Sequence, residues 1–132
     1  MLPEPSIGKL LVGPRGRALE LQHMSFGNRV VASLADALPL MDPERVGLKD
    51  NRLTDKGIAA LAAGLARCEN LEEIDLSINA MRRNAAMAVA STVRAIRTRL
   101  RVLNLEGCGL SSSSVATVSS ISITDKWLSV AL

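Results

Sequence analysis

Hydrophobic residues recur along the chain in an order that repeats about every 28 positions. LEEIDLSINAM, from Leu71, and LRVLNLEGCGL, from Leu100, both read Leu-x-x-hydrophobic-x-Leu-x-x-(Asn or Cys)-x-hydrophobic. PERVGLKDNRL has the same frame with Pro43 at its first position, and ALELQHMSF has a shorter version. The alternation of apolar and polar residues predicts a short strand in each segment. The strand centres are separated by 27, 28 and 29 residues and lie at Leu19, Val46, Ile74 and Leu103.

The second half of each unit carries a different period. Ile58, Leu61, Ala62 and Leu65 lie at positions i, i+3, i+4 and i+7, which predicts a helix with one apolar stripe. The same spacing recurs in the first unit at Val31, Leu34, Ala35 and Leu38, and in the third at Ala86, Val89, Ala90 and Val93. In the fourth unit the stripe is interrupted, because two hydrophobic positions are followed by two serines: Val115, Val118, Ser119 and Ser122.

Each unit is thus predicted to be a strand, a turn and a helix, and neither apolar surface can be buried by one unit alone. Stacking the units in register would bury both, with a parallel sheet on one side and helices on the other, so the fold class is α/β. The expected division is an irregular N-terminal leader or cap over 1–15, a repeat domain over 16–122 and a divergent tail over 123–132. The repeats fall at about 16–42, 43–70, 71–99 and 100–122.

This pattern resembles the leucine-rich repeat family, in its ribonuclease-inhibitor-like class with long helical repeats. The resemblance implies a right-handed, curved solenoid with a short parallel sheet on the concave face and helices on the convex face. It also implies that Asn51, Asn79 and Cys108 point inward and satisfy backbone groups in the turn after each strand. The sequence departs from the family at Pro43, and at Met24 where Asn or Cys is usual.

The composition agrees with a globular domain, since 48% of the 132 residues are hydrophobic and 22% are charged. Aromatic residues are only 2%, so aliphatic side chains must build the core and stacking platforms for single-stranded nucleic acid are missing. No apolar run is long enough to span a bilayer. The N-terminus lacks the features of a secretion signal or transit peptide, and an intracellular, cytoplasmic location is expected.

Residues with catalytic potential are few. Cys108, beside two glycines and near Glu106, could be a nucleophile, a metal ligand or half of a disulfide, but its place in the repeat favours a structural role with both cysteines reduced. His23 is the only histidine, and it falls at a strand end without a partner at metal-ligand or acid–base spacing. No catalytic residue, cofactor or metal is therefore expected, and the protein is predicted not to be an enzyme.

Two surfaces are candidates for partner binding. The first is the concave face, whose outward strand and turn positions are Glu20, Gln22, His23, Arg45, Lys49, Asp50, Glu73, Asp75, Ser77, Asn104 and Glu106. The second is a basic patch formed by Arg94, Arg97, Arg99 and Arg101. These arginines could simply be a solvated helix end, where cations complement the carbonyl-rich terminus. Alternatively, they could contact an acidic partner or RNA.

These observations favour a non-catalytic protein–protein interaction scaffold, either alone or as a structural subunit of a larger intracellular assembly. The partner would be another protein, whose identity the sequence does not give. The alternative is a regulator of a small GTPase, because the repeat pattern is also similar to that of Ran GTPase-activating proteins. Such a regulator would need polar residues that reach the nucleotide site, and Arg45 is a strand-face candidate.

Overall fold

The computed structural model describes the backbone of residues 10–13, 16–96, 100–124 and 128–132, and the side chains of residues 17–96, 100–120 and 128–132. The described part of the chain is α/β, with one sheet and helices that alternate with its strands. The strands are β1 (Leu10–Gly13), β2 (Gly16–Glu20), β3 (Arg45–Gly47), β4 (Glu73–Asp75), β5 (Val102–Asn104) and β6 (Ser129–Ala131). The helices are α1 (Gly27–Met41), α2 (Asp55–Leu65), α3 (Arg83–Ile96) and α4 (Ser112–Thr124).

The sheet follows chain order from β1 to β6, and strands β2 to β6 run parallel. Each parallel strand pairs with the next one at equivalent positions of the repeat, so the predicted strand centres lie in one row. Side chains alternate between the two faces of a strand, and this row is buried on the helix side of the sheet. The row consists of Leu19, Val46, Ile74 and Leu103, followed by the half-buried Val130.

The helices cover one side of the sheet and bury the predicted stripes. The four stripe residues of each of the first three helices are all buried, which confirms the 3.6-residue period. In α4 only part of the stripe is apolar, and Val118 is buried while Val115 is half-buried. Within the described residues, none of the helices is long and apolar enough to cross a membrane.

Two small residues let α1 and α2 approach closely. A β-carbon added at Gly64 would lie 2.3 Å from the carbonyl oxygen of Ala35, and one added at Gly57 would lie 2.2 Å from the Asn28 side chain. Each distance is shorter than any van der Waals contact, so a side chain at either glycine would force the two helices apart. The separation of these units is therefore set by glycine at the contact.

Buried asparagines join successive units through the backbone. Asn79 accepts hydrogen bonds from the N–H groups of Asn51 and Leu53 at 3.0 Å each. It also donates to the carbonyl oxygens of Leu48, Leu76 and Ser77. Asn51 repeats the arrangement one unit earlier, where it accepts from Met24 and Phe26 and donates to Leu21 at 2.7 Å.

We call the row of inward-pointing residues Asn51, Asn79 and Cys108 the asparagine ladder. In the fourth unit the ladder residue is a cysteine. The Cys108 thiol donates to the Leu76 carbonyl oxygen at 3.1 Å, which is the contact that Asn79 makes with Leu48 one unit earlier. The prediction that Cys108 takes the place of asparagine inside the turn is confirmed. A thiol is a weaker and smaller hydrogen-bonding group than an amide, so this rung is held by fewer bonds.

A carboxylate makes a second link between units at the helix C-terminus. Asp42 follows α1 in a left-handed conformation and accepts hydrogen bonds from Asn70 Nδ2 at 2.6 Å and from the backbone N–H groups of Glu69 and Asn70. The Asn70 side-chain hydrogen bond, with these backbone donors, holds the pKa of Asp42 below its usual value despite some desolvation. The turn before β4 is thereby fixed to the end of α1.

Each end of the repeat carries a strand that the sequence does not predict. Within the segment predicted as an irregular leader or cap over 1–15, residues 10–13 form β1, which pairs antiparallel with β2 and covers that edge of the sheet, as a cap would. The predicted domain bounds stay a prediction. The tail over 123–132 was expected to diverge from the repeat, yet β6 pairs with β5 in the same register as the other parallel strands. Val130 and Leu132 lie 27 residues after Leu103 and Leu105, so the strand part of the frame recurs in the tail.

Candidate protein-binding strand face

The side of the sheet opposite the helices carries two columns of aligned residues, and we call this side the strand face. The register places Arg45, Glu73, Val102 and Ser129 beside one another on consecutive strands. The second column consists of Glu20, Gly47, Asp75, Asn104 and Ala131. These positions alternate with the buried row, so the face combines regular spacing with polar side chains.

Neighbouring side chains of the strand face contact one another, one pair across two strands and two pairs within one segment of the chain. Arg45 Nε lies 3.7 Å from Glu73 Oε2, and the two side chains are 21% and 42% exposed. Gln22 donates a hydrogen bond to the Glu20 carboxylate. Asp75 accepts hydrogen bonds from both the backbone N–H and the hydroxyl of Ser77, at 3.0 and 2.6 Å. These contacts orient three carboxylates on one surface.

Gly47 has a specific effect on the second column. A β-carbon at this position would lie 2.7 Å from Glu20 Oε2 and 2.8 Å from Gln22 Nε2. The Glu20 carboxylate therefore leans over β3, toward the column position of Asp75 on β4. The two carboxylates lie closer together than their strands alone would place them.

These residues enclose a shallow groove of about 210 Å³. The walls are polar at the β2 and β3 side and include an apolar side chain at the β5 side, where Val102 is 36% exposed. The groove is lined by Glu20, Gln22, Arg45, Gly47, Glu73, Asp75, Val102 and Asn104. Most of the predicted concave-face residues on the strands are thus brought together at one site.

The predicted turn residues lie along the rim of the strand face. His23 Nδ1 is 2.8 Å from Asp50 Oδ2, with side chains 60% and 49% exposed. Lys49 is half-buried, Glu106 is exposed, and the backbone N–H of Glu106 donates to Asn104 Oδ1 at 3.0 Å. Ser77 is an exception, because it is only 3% exposed and its hydroxyl is bound to Asp75. Its prediction as a partner-binding residue is wrong, and it acts instead by orienting Asp75.

The rim also carries a feature that the sequence analysis missed. His23, Asp50, Ile78 and Gly107, each just before the ladder position, all have φ values between 54° and 70°. Such a conformation is rare for a β-branched residue such as Ile78. The Ile78 side chain is also 48% exposed, which is unusual for a large hydrophobic residue. The glycine in the fourth unit was the clearest signal for this turn, histidine and aspartate were weaker signals, and isoleucine was none.

The predicted basic patch is described only in part. Arg94 is exposed in the last turn of α3, where its charge complements the carbonyl-rich helix terminus. Arg101 is exposed and lies 3.6 Å from Glu72 Oε1. Arg97 and Arg99 lie outside the described residues. The contacts of Arg94 and Arg101 agree with a solvated helix end, and contact with an acidic partner or RNA stays a prediction.

Both cysteines are buried, free thiols. Burial raises the pKa of the Cys108 thiol, opposed by the backbone N–H groups of Asn79 and Ile78 and reinforced by the Asp75 carboxylate. A raised pKa lowers the thiolate fraction at neutral pH, which disfavours nucleophilic chemistry. Among the residues that the structure describes, no group of three or more His, Cys, Asp or Glu side chains could hold a metal ion.

Known proteins give a limited comparison. No protein-family model matches the chain. The chain is similar to Tonsoku-like protein of Mus musculus, with 41% identity over 69 residues that cover 50% of this chain and 5% of that protein. It is also similar to Tonsoku-like protein of Bos taurus, with 36% identity over 97 residues that cover 70% of this chain and 7% of that protein. The chain therefore matches only a small segment of these much longer relatives.

Proposed function

We propose that the chain is a non-catalytic scaffold that binds another protein through its strand face, and that it forms a short leucine-rich-repeat solenoid of the ribonuclease-inhibitor-like class. The observation that carries the proposal is the pair of in-register polar columns on the side of the sheet that the described helices leave uncovered. A regular polar surface on a packed sheet is well suited to recognition, because the backbone holds the side chains at fixed spacing. The similarity to segments of Tonsoku-like proteins supports a module within a larger protein or assembly.

The absence of aromatic side chains at this surface bears on how it would bind. Binding energy in protein interfaces is concentrated in Trp, Tyr and Arg residues, and the described strand face offers Arg45 with Val102 as its apolar contact. We therefore expect the partner to supply the large side chains, and this face to supply polar specificity. Free buried thiols support an intracellular, reducing compartment, and cytoplasmic location stays part of the proposal.

Co-purification of matched variants tests the proposal. Asn104→Arg places a long cation on the strand face, whereas Ala63→Arg places it on the exposed side of α2. Quantitative mass spectrometry of tagged chains from cells should show Asn104→Arg losing about tenfold of its specific partner, since disturbing a central contact costs about 1.4 kcal/mol or more. Ala63→Arg should retain the partner. Loss with Ala63→Arg and retention with Asn104→Arg would move the interface to the helices.

The GTPase-regulator alternative draws no support from Arg45. Its side chain is only 21% exposed and lies beside Glu73, so it does not extend away from the surface as a residue inserted into a nucleotide site must. We accordingly keep the interaction scaffold as the proposed function. Contact with RNA is also less favoured at this face, because phosphate would meet several carboxylates.

A further inference from the structure

The strand face differs in charge from the chain as a whole. Of the eleven residues predicted to line it, five are carboxylates and two are Lys or Arg, which gives −3 with His23 neutral. The complete chain has a formal charge of +3. Negative charge is thus concentrated on the face that we propose to bind a partner, although the protein is basic overall.

Two of these carboxylates, Glu20 and Asp75, lie at the groove of the strand face. Glu20 leans over Gly47, and Asp75 occupies the next position of the same column, so both line the groove. Glu20 and Asp75 lie on β2 and β4, two strand spacings or about 10 Å apart along the sheet. Because Glu20 leans over β3, its carboxylate comes closer to Asp75 than this spacing, within reach of one cationic side chain or of two neighbouring ones. The nearest cation on the strands, Arg45, lies in the other column beside Glu73.

The carboxylates and the apolar Val102 of the groove fit a lysine or arginine side chain of a peptide. The described residues provide no cluster for a metal ion. Carboxylates recognise ammonium and guanidinium groups through charge-assisted hydrogen bonds. Val102, at the β5 side of the same groove, offers an apolar contact for a side chain on the same side of the segment as the cations.

Resting on the proposed function, we propose that the partner presents an extended segment with closely spaced lysine or arginine side chains to Glu20 and Asp75. Two basic residues separated by one residue fit this surface, because alternate side chains of an extended segment point to the same side. The segment lies across β3, β4 and β5, with its cations over the Glu20–Asp75 column. The residue between the cations points away from the sheet, and an apolar side chain two positions beyond a cation contacts Val102.

A peptide titration of the full chain tests this inference directly. The probe is the peptide acetyl-Lys-Ala-Lys-Ala-Val-amide, whose lysines and valine share one side of an extended segment, with versions that carry serine or glutamate in place of both lysines. Backbone amide NMR should show saturable shifts for residues 46–48, 74–76 and 103–105 with the lysine peptide only. The double variant Glu20→Gln/Asp75→Asn should weaken its binding about tenfold, as expected for the loss of two part-exposed charge pairs.

The variants keep the fold, since Gln and Asn retain the oxygen atoms that accept from Gln22 and Ser77. Asp36→Asn removes an exposed charge from α1 and should leave binding unchanged. If the serine peptide bound as tightly as the lysine peptide and shifted the same amides, the inference that the face recognises cations would be overturned. The strand face would still be a binding surface. Absence of strand-face shifts with the lysine peptide at millimolar concentration would also overturn it. The co-purification of Asn104→Arg would then decide the proposed function independently.

Discussion

Replacing Asn79 with alanine is expected to lower the free energy of unfolding by about 3–5 kcal/mol, because several buried backbone groups lose their partner at once. The N–H groups of Asn51 and Leu53 would be left without their acceptor, and the carbonyl oxygen of Leu48 without its donor. Asn79 itself is only 4% exposed, so water does not readily replace the lost amide. The effect should therefore exceed that of an ordinary buried hydrogen bond.

Urea denaturation followed by circular dichroism measures this effect. Asn84→Ala is the matched control, because Asn84 is exposed near the start of α3 and the same atoms are removed. That control should change the unfolding free energy by less than about 0.5 kcal/mol. Equal stability of the two variants would show that the asparagine ladder does not hold successive units together.

Substituting Gly64 with alanine is expected to destabilise the protein by about 2–3 kcal/mol, the cost of overpacking a close contact. The new methyl group would meet the carbonyl oxygen and Cα of Ala35 at 2.3 and 3.0 Å, and both atoms belong to the backbone of α1. Backbone atoms cannot rotate away as a side chain can. The helices must separate, and the apolar contacts between the first two units weaken.

Ala63→Ser controls for the added atom. It adds one heavy atom to the preceding residue of α2, on an exposed position, and should change stability by about 0.5 kcal/mol or less. Thermal and urea unfolding of both variants measure the difference. Unchanged or increased stability of Gly64→Ala, as helix propensity alone would predict, would contradict the close approach of α1 and α2.

The central units were predictable because local and global signals agree there. Each strand centre and each helix stripe follows its own period, and stacking equivalent units requires those positions to face one core. Cys108 could be assigned by the same argument, since only its place in the frame distinguishes it from a reactive thiol. The strand-face columns follow directly from the repeat once the strands are paired in register.

The other features of the fold and of the strand face depend on contacts that the spacing of the repeat does not predict. β1 pairs with β2 as a hairpin outside the repeat, so no strand–helix spacing indicates it. β6 did carry a signal in Val130 and Leu132, but no helix stripe follows it within these residues. Ser77 is buried and bonded to Asp75 in its own unit, and Glu20 leans over the next unit because Gly47 has no side chain there. These are contacts between particular residues, which the repeat spacing does not specify.

Site-specific photo-cross-linking tests the proposed function most directly. A benzophenone amino acid placed at Val102 would lie on the strand face, and one placed at Met87, which is 50% exposed on α3, would lie on the helices. Val102 should cross-link to a specific protein, identified by mass spectrometry, with its basic segment attached. Met87 should give no such product. A cross-link of the same protein from Met87 and none from Val102 would contradict binding through the strand face.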